Sequence, residues 1–145
     1  MNDSENKASE LLDEARVAAL SKGSSTAAMP YAEKAISLGL PKEKELEARG
    51  MLASGFREIA GNSGLSPDQM EVSTEFSRAI EEFEKAANLD REGSFNHYSD
   101  PLQRASLRYM DFMCLMRAGR IRETEGRQAA ISFLQDKVAA YDYLP

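Results

Sequence analysis

Ser94, His97 and Asp100 place a hydroxyl, an imidazole and a carboxylate in one short segment, the side-chain inventory of a Ser-His-Asp hydrolase. Acyl transfer by such a triad also needs a nucleophile raised on a sharp turn and donors for the oxyanion, and the segment supplies neither. His97 is the only histidine, which excludes a His-rich metal site. Cys114 is the only cysteine, which excludes an intramolecular disulfide and a Cys-x-x-Cys metal or redox motif. Its apolar neighbours, Tyr109-Met-Asp-Phe-Met-Cys-Leu-Met116, suit a buried thiol. Gly61-Asn-Ser-Gly64 lacks the Lys-Ser/Thr that completes a phosphate-binding loop. The carboxylates fall mostly on helix faces that read as solvated. The chain is therefore expected to be a non-enzyme, with no catalytic residue, metal ligand or cofactor.

Charge narrows the partner. With 18 basic and 24 acidic side chains the net charge is −6, which opposes a nonspecific grip on nucleic acid or anionic lipid. The distribution is uneven: residues 1–100 carry 11 basic against 19 acidic side chains, and residues 101–145 carry 7 against 5. Arg104, Arg108, Arg117, Arg120, Arg122 and Arg127 gather at that end, where bidentate contacts could dock an acidic partner segment. The plainer reading is a solvated face with pairs to Glu123 and Glu125, each worth little. The N-terminus has neither the basic start nor the apolar run of a signal peptide. No stretch approaches the ~18 apolar residues needed to span a bilayer. A soluble, cytoplasmic protein without direct membrane insertion is expected.

The elements that position these residues read as helices. At 145 residues and 42% apolar content the chain suits one domain with a buried core. Leu11, Leu12, Ala15, Ala18, Ala19 and Leu20 recur at three- and four-residue steps, as an amphipathic helix requires. Gly23 ends that helix, Ser24-Ser25-Thr26 offers the next cap, and Pro30 suits the first turn of helix two. Gly39-Leu40-Pro41 separates helix two from helix three, expected at about 42–60. Ser66-Pro67-Asp68-Gln69 reads as a cap, an initial proline and a capping-box partner, opening a fourth helix from 67 to about 89. Asp100-Pro101 repeats the device for helix five, which Gly119 is expected to end, and helix six covers roughly 121–141. Valine and isoleucine are sparse and never alternate, so no sheet is expected. The connection from Arg91 to Ser99 holds Phe95, His97 and Tyr98, one of which should fold back over the junction.

Internal similarity orders these helices into hairpins. Tyr31-Ala-Glu-Lys-Ala-Ile-Ser-Leu-Gly-Leu-Pro41 and Phe83-Glu-Lys-Ala-Ala-Asn-Leu-Asp90 share a Glu-Lys-Ala core, and Ala79, Phe83 and Ala86 fall at steps of four and three. Small residues at that spacing let helices approach, and the aromatic fills the gap. The pattern resembles the second helix of a tetratricopeptide repeat. Leu52-Ala-Ser-Gly-Phe56 and Leu115-Met-Arg-Ala-Gly119 resemble parts of the first helix, although no repeat carries the full motif. The resemblance implies an all-α, right-handed α-solenoid of three antiparallel hairpins, at about 4–40, 41–90 and 100–142 of a single domain spanning 1–145.

It also implies a scaffold or adaptor that binds a partner peptide or helix in a concave groove lined by helices one, three and five. On helix three the groove positions would be Glu47, Gly50, Met51, Ser54 and Arg57; on helix five, Ser106, Tyr109, Met110, Met113, Met116 and Arg117. Met51, Tyr109, Met110 and Met113 would supply adaptable apolar contacts, with Arg57 and Arg117 fixing orientation. The plainer reading makes the methionines packing between repeats. Some members of the family grip a chaperone C-terminus with a Lys/Asn/Arg clamp. Here the matching positions, Asp13, Val17, Met51, Ser106 and Met110, build no clamp. Two alternatives remain. One is a dedicated chaperone, since small three-repeat secretion-system proteins are of this size. The other is a homo-oligomer in which Tyr141, Tyr143 and Leu144 pack on another copy.

Overall fold

Local capping signals set most helix ends. The computed structural model describes residues 2–143, which form seven α-helices and no strand. Helix α1 (Asp3–Lys22) starts where Asn2 accepts a 2.8 Å hydrogen bond from Glu5 N–H. A 3-10 turn at Ser25–Ala28 leads into α2 (Met29–Leu38), with Pro30 in its first turn. Helix α3 (Lys42–Gly61) is followed by α4 (Pro67–Glu71), which opens with a reciprocal capping box. Ser66 Oγ accepts from Gln69 N–H at 3.3 Å, and Gln69 Oε1 accepts from Ser66 N–H at 3.1 Å. Helix α5 (Thr74–Gly93) precedes α6 (Pro101–Glu125), whose start is capped by Asp100 accepting from Leu102 N–H at 2.7 Å. Helix α7 is Arg127–Tyr141.

Two boundaries differ from the sequence expectation. The helix expected from 67 to 89 is broken at Val72–Ser73 into α4 and α5. Ser73 Oγ donates to Met70 O at 2.6 Å and accepts from Phe76 N–H at 3.3 Å, offering the backbone an alternative to a continuous helix. Gly119 does not end the fifth hydrophobic segment; α6 runs through it to Glu125, and α7 begins at Arg127 rather than near 121. A glycine inside a helix costs only about 1 kcal/mol, and buried Met113, Cys114 and Ala118 hold α6 to the core over the turns before it. The turn is made instead by Gly126, at φ 99°, a conformation that L side chains rarely adopt.

Packing follows chain order. Helix α1 lies on α2, α3 on α5 and α6 on α7, with α2 against α3 and α5 against α6 linking the pairs. One core cluster joins Leu12, Ala15, Ala28, Met29, Ala32, Ala48 and Leu52. The second is larger and is built on Phe76, Ala79, Phe83, Ala86, Tyr98, Leu107, Met110, Met113 and Cys114. Ala79, Phe83 and Ala86 are fully buried, so the small-aromatic-small spacing places a ring between closely approaching helices. Phe56 packs against both clusters.

Ion pairs fix the helices to one another. Arg16 of α1 binds Glu47 of α3. Arg49 of α3 binds Glu82 of α5 at 2.8 Å, with Glu82 only 2% exposed. In the long connection it is Tyr98 that folds into the core, at 2% exposure. Buried Asp90 holds the segment by accepting from His97 N–H at 2.9 Å. Tyr143 is not a free docking residue: its hydroxyl donates to Ala87 O at 3.0 Å and contacts Asp90 Oδ2 at 3.3 Å. Tyr141 packs half-buried on the second cluster, and Leu144 lies outside the described residues.

Candidate functional site

Helix α6 is buried on one face only. Leu107, Met110, Met113, Cys114 and Ala118 turn inward, while Tyr109 and Phe112, one turn apart, are 46% and 56% exposed. Beside them lies an apolar groove of about 470 Å³. Its walls are Arg57, Ala60 and Gly61 at the end of α3, Met70 of α4, Phe76 of α5, and Arg108, Tyr109, Phe112 and Met113 of α6. The α4 side of the groove is held to α6 by Glu71, which is 4% exposed and bound to Arg117. Arg117 also donates to Glu71 O and Ser77 Oγ, both at 3.1 Å, and Arg120 Nε stands 3.7 Å from Glu71.

Arg57 gives the groove its polarity. Its guanidinium carbon sits 3.8 Å from the centre of the Tyr109 ring, within cation–π range. Its Nε is buried without a hydrogen-bond partner, and the side chain makes no ion pair among the described residues. Arg108 is likewise unpaired there. The arrangement therefore offers an apolar floor, an exposed aromatic rim and two cationic groups without carboxylate partners. Such a site suits an apolar anchor with an acidic neighbour; it holds no nucleophile–base pair.

The residues expected at the site separate into three groups. Arg57, Tyr109 and Met113 do converge on the groove. Met110 and Met113, however, are 1% and 3% exposed. They are core residues, and only an edge of Met113 reaches the groove, because the buried face of α6 needs flexible side chains to fill the space against α5 and α7. Met51 is half-buried against the first core cluster, and Ser54 is half-buried in α3; neither lines the groove. Met116 packs against the second cluster, and Arg117 is engaged by Glu71 rather than poised for a partner. The pairs expected with Glu123 and Glu125 do not form among the described residues. Phe112, Met70 and Phe76 are additions to the expected set, and Arg108, expected only in the arginine cluster that could dock an acidic segment, also lines the groove. Phe112 had a signal, lying one turn after Tyr109 on the same face; Met70 and Phe76 reach the groove only through the break between α4 and α5.

The Ser94, His97 and Asp100 side chains make no hydrogen bond to one another among the described residues; Asp100 caps α6, and the His97 ring meets Tyr98 edge-on at 5.0 Å. No described helix is long and apolar enough to cross a membrane. Comparison with family models, with curated proteins and with solved structures gives no match, so the groove is read from its own geometry.

Proposed function

We propose that this chain is a protein-interaction module that takes a partner peptide or helix in the groove between α3 and α6. The observation that carries the reading is the exposed Tyr109–Phe112 pair on the rim of an apolar groove. Contiguous exposed aromatics are costly in water and mark a surface that is covered in use. The pairing of α1 with α2, α3 with α5 and α6 with α7 supports three helix pairs packed in chain order, and we read them as antiparallel hairpins stacked in a right-handed solenoid, resembling tetratricopeptide repeats. In that arrangement α1, α3 and α6 are the first helices of the hairpins. The groove would then lie between two successive first helices, the position where such repeats bind their partners.

Selection from a displayed peptide library tests this, because no partner need be known beforehand. Wild-type protein is expected to enrich peptides with a large apolar residue. Phe112→Glu is expected to abolish their binding at unchanged helicity, since Phe112 is exposed. Met113→Glu is the poorer probe, because it buries a charge in the core. Arg122→Glu, at an exposed position outside the groove lining, should change binding little, whereas Arg120→Glu would set a second carboxylate against buried Glu71 and loosen the α4 wall. Selected peptides that bind Phe112→Glu and wild type equally would overturn the proposal.

A further inference from the structure

A second cleft, of about 640 Å³, opens on the other flank of α6, between α6 and α7. Its floor is formed by the core residues Leu107, Met110 and Cys114, and Leu115 and Val138 stand at its edges, 61% and 69% exposed. Charged groups of both signs surround it. Arg104, Arg108, Asp111 and Asp142 line the cleft and make no ion pair among the described residues, whereas Lys137 is already bound to Glu84. Arg108 stands three residues before Asp111, close enough in sequence for a helix pair, yet the two do not meet. Asp111 is exposed at the rim, yet partial shielding from water raises its carboxyl above the ordinary aspartate range with no neighbouring cation to offset it.

An apolar cleft ringed by unpaired charges of both signs is a poor match for a uniformly acidic or basic partner, because half of its rim would face like charge. It is a good match for a copy of itself turned by a twofold axis, since each arginine can then meet a carboxylate and each carboxylate an arginine. We propose that the α6–α7 cleft is a twofold self-association surface whose occupant is a second copy of this chain. Leu115 and Val138 of each copy cover the other's apolar floor, and Arg104 and Arg108 meet Asp111 and Asp142 across the axis. The surface is distinct from the peptide groove, with Arg108 alone lining both, and the proposal stands whether or not the groove binds peptide.

Sedimentation velocity over a range of concentrations tests it. Wild type is expected to shift from monomer to dimer as concentration rises. Leu115→Glu and Val138→Glu, both at exposed positions, should stay monomeric with unchanged circular dichroism. Arg108→Asp and Asp111→Arg should each weaken the dimer at least about tenfold, through like charges facing each other twice per dimer. An equimolar mixture of those two variants should recover a dimer, because every 108–111 contact across the axis is then again between opposite charges. A wild type that is monomeric at every concentration overturns the proposal. So does a dimer that survives Leu115→Glu, or a mixture that fails to recover.

Discussion

Three glycines, Gly50, Gly55 and Gly119, lie in helix interiors rather than at helix ends, and replacing each by alanine separates local from tertiary effects. Gly119 is exposed within the last two turns of α6, has no left-handed backbone, and a Cβ built there meets nothing within 4 Å. Gly50 in α3 is equally unobstructed. Alanine at either position should gain the propensity difference of about 0.8–1.0 kcal/mol, and the two together should add to about 2 kcal/mol. Gly55 is the counter-case. A Cβ there would lie 2.5 Å from Met29 Cγ and nearer still to its sulfur, and Met29 is 9% exposed and packed in the first core. The collision is with the middle of the side chain rather than its free end, so overpacking of about 1–3 kcal/mol outweighs the propensity gain. Gly55→Ala should destabilise. Combined with Met29→Ala it should cost less than the sum of the single changes. Urea denaturation gives the answer as shifts in midpoint at constant slope. A Gly119→Ala variant that loses about 1 kcal/mol would mean that Gly119 is left-handed and ends a helix, and would refute the continuous α6. A stabilising Gly55→Ala would refute the close approach of α2 and α3.

Three further outcomes are expected. Glu82→Gln should lose about 3 kcal/mol, the low end for a broken buried pair because Arg49 keeps Glu45 at 2.9 Å, and urea melts would show it. Burial alone would raise the Glu58 carboxyl, but hydrogen bonds from Ser24, Ser25 and Thr26 outweigh it and hold the group below the usual glutamate range. Its contribution is thus present above the unfolded-state value and lost as pH falls through the lower folded-state one. The stability gap between wild type and Glu58→Gln, followed by urea midpoint, should therefore close below about pH 4, and a gap that widens on acidification would count against the cap. Burial pushes the Cys114 thiol up to about 11, so a thiol reagent at pH 8 should label native protein at least about tenfold more slowly than urea-unfolded protein; equal rates would place Cys114 at the surface.

The helical class and most starts were legible because they rest on local chemistry. Ser66-Pro67-Asp68-Gln69 and Asp100-Pro101 encode their caps within four residues, and both caps form. Gly119 and Gly126 show where local reading fails. Gly119 follows an apolar run and Gly126 the charged Arg122-Glu-Thr-Glu125, so hydropathy points to Gly119 as the stop; packing of α6 on its neighbours carries the helix through it. The break at Ser73 was hidden for the same reason, since Glu71 turns toward Arg117, 46 residues away in sequence. The site was partly legible. Arg57 and Tyr109 came from the groove positions that the tetratricopeptide resemblance implies, but which methionines are core depends on how far α7, ten residues shorter than α6, covers its partner.

Phe56 belongs to both core clusters, and the Arg78 guanidinium covers its ring at 4.7 Å. The N-terminal cluster is made largely of alanines and is therefore weak on its own, since each contributes little area. Its persistence depends on being tied to the stronger cluster through this ring and the α3 backbone that carries it. The chain thus contains two potential cooperative units joined along α3, which carries Ala48 and Leu52 into one cluster and Ala53 and Ala60 into the other. The folding of α1 and α2 is thereby made conditional on α3 staying docked on α5, and the strength of that docking sets whether the protein melts in one step or frays from its N-terminus first.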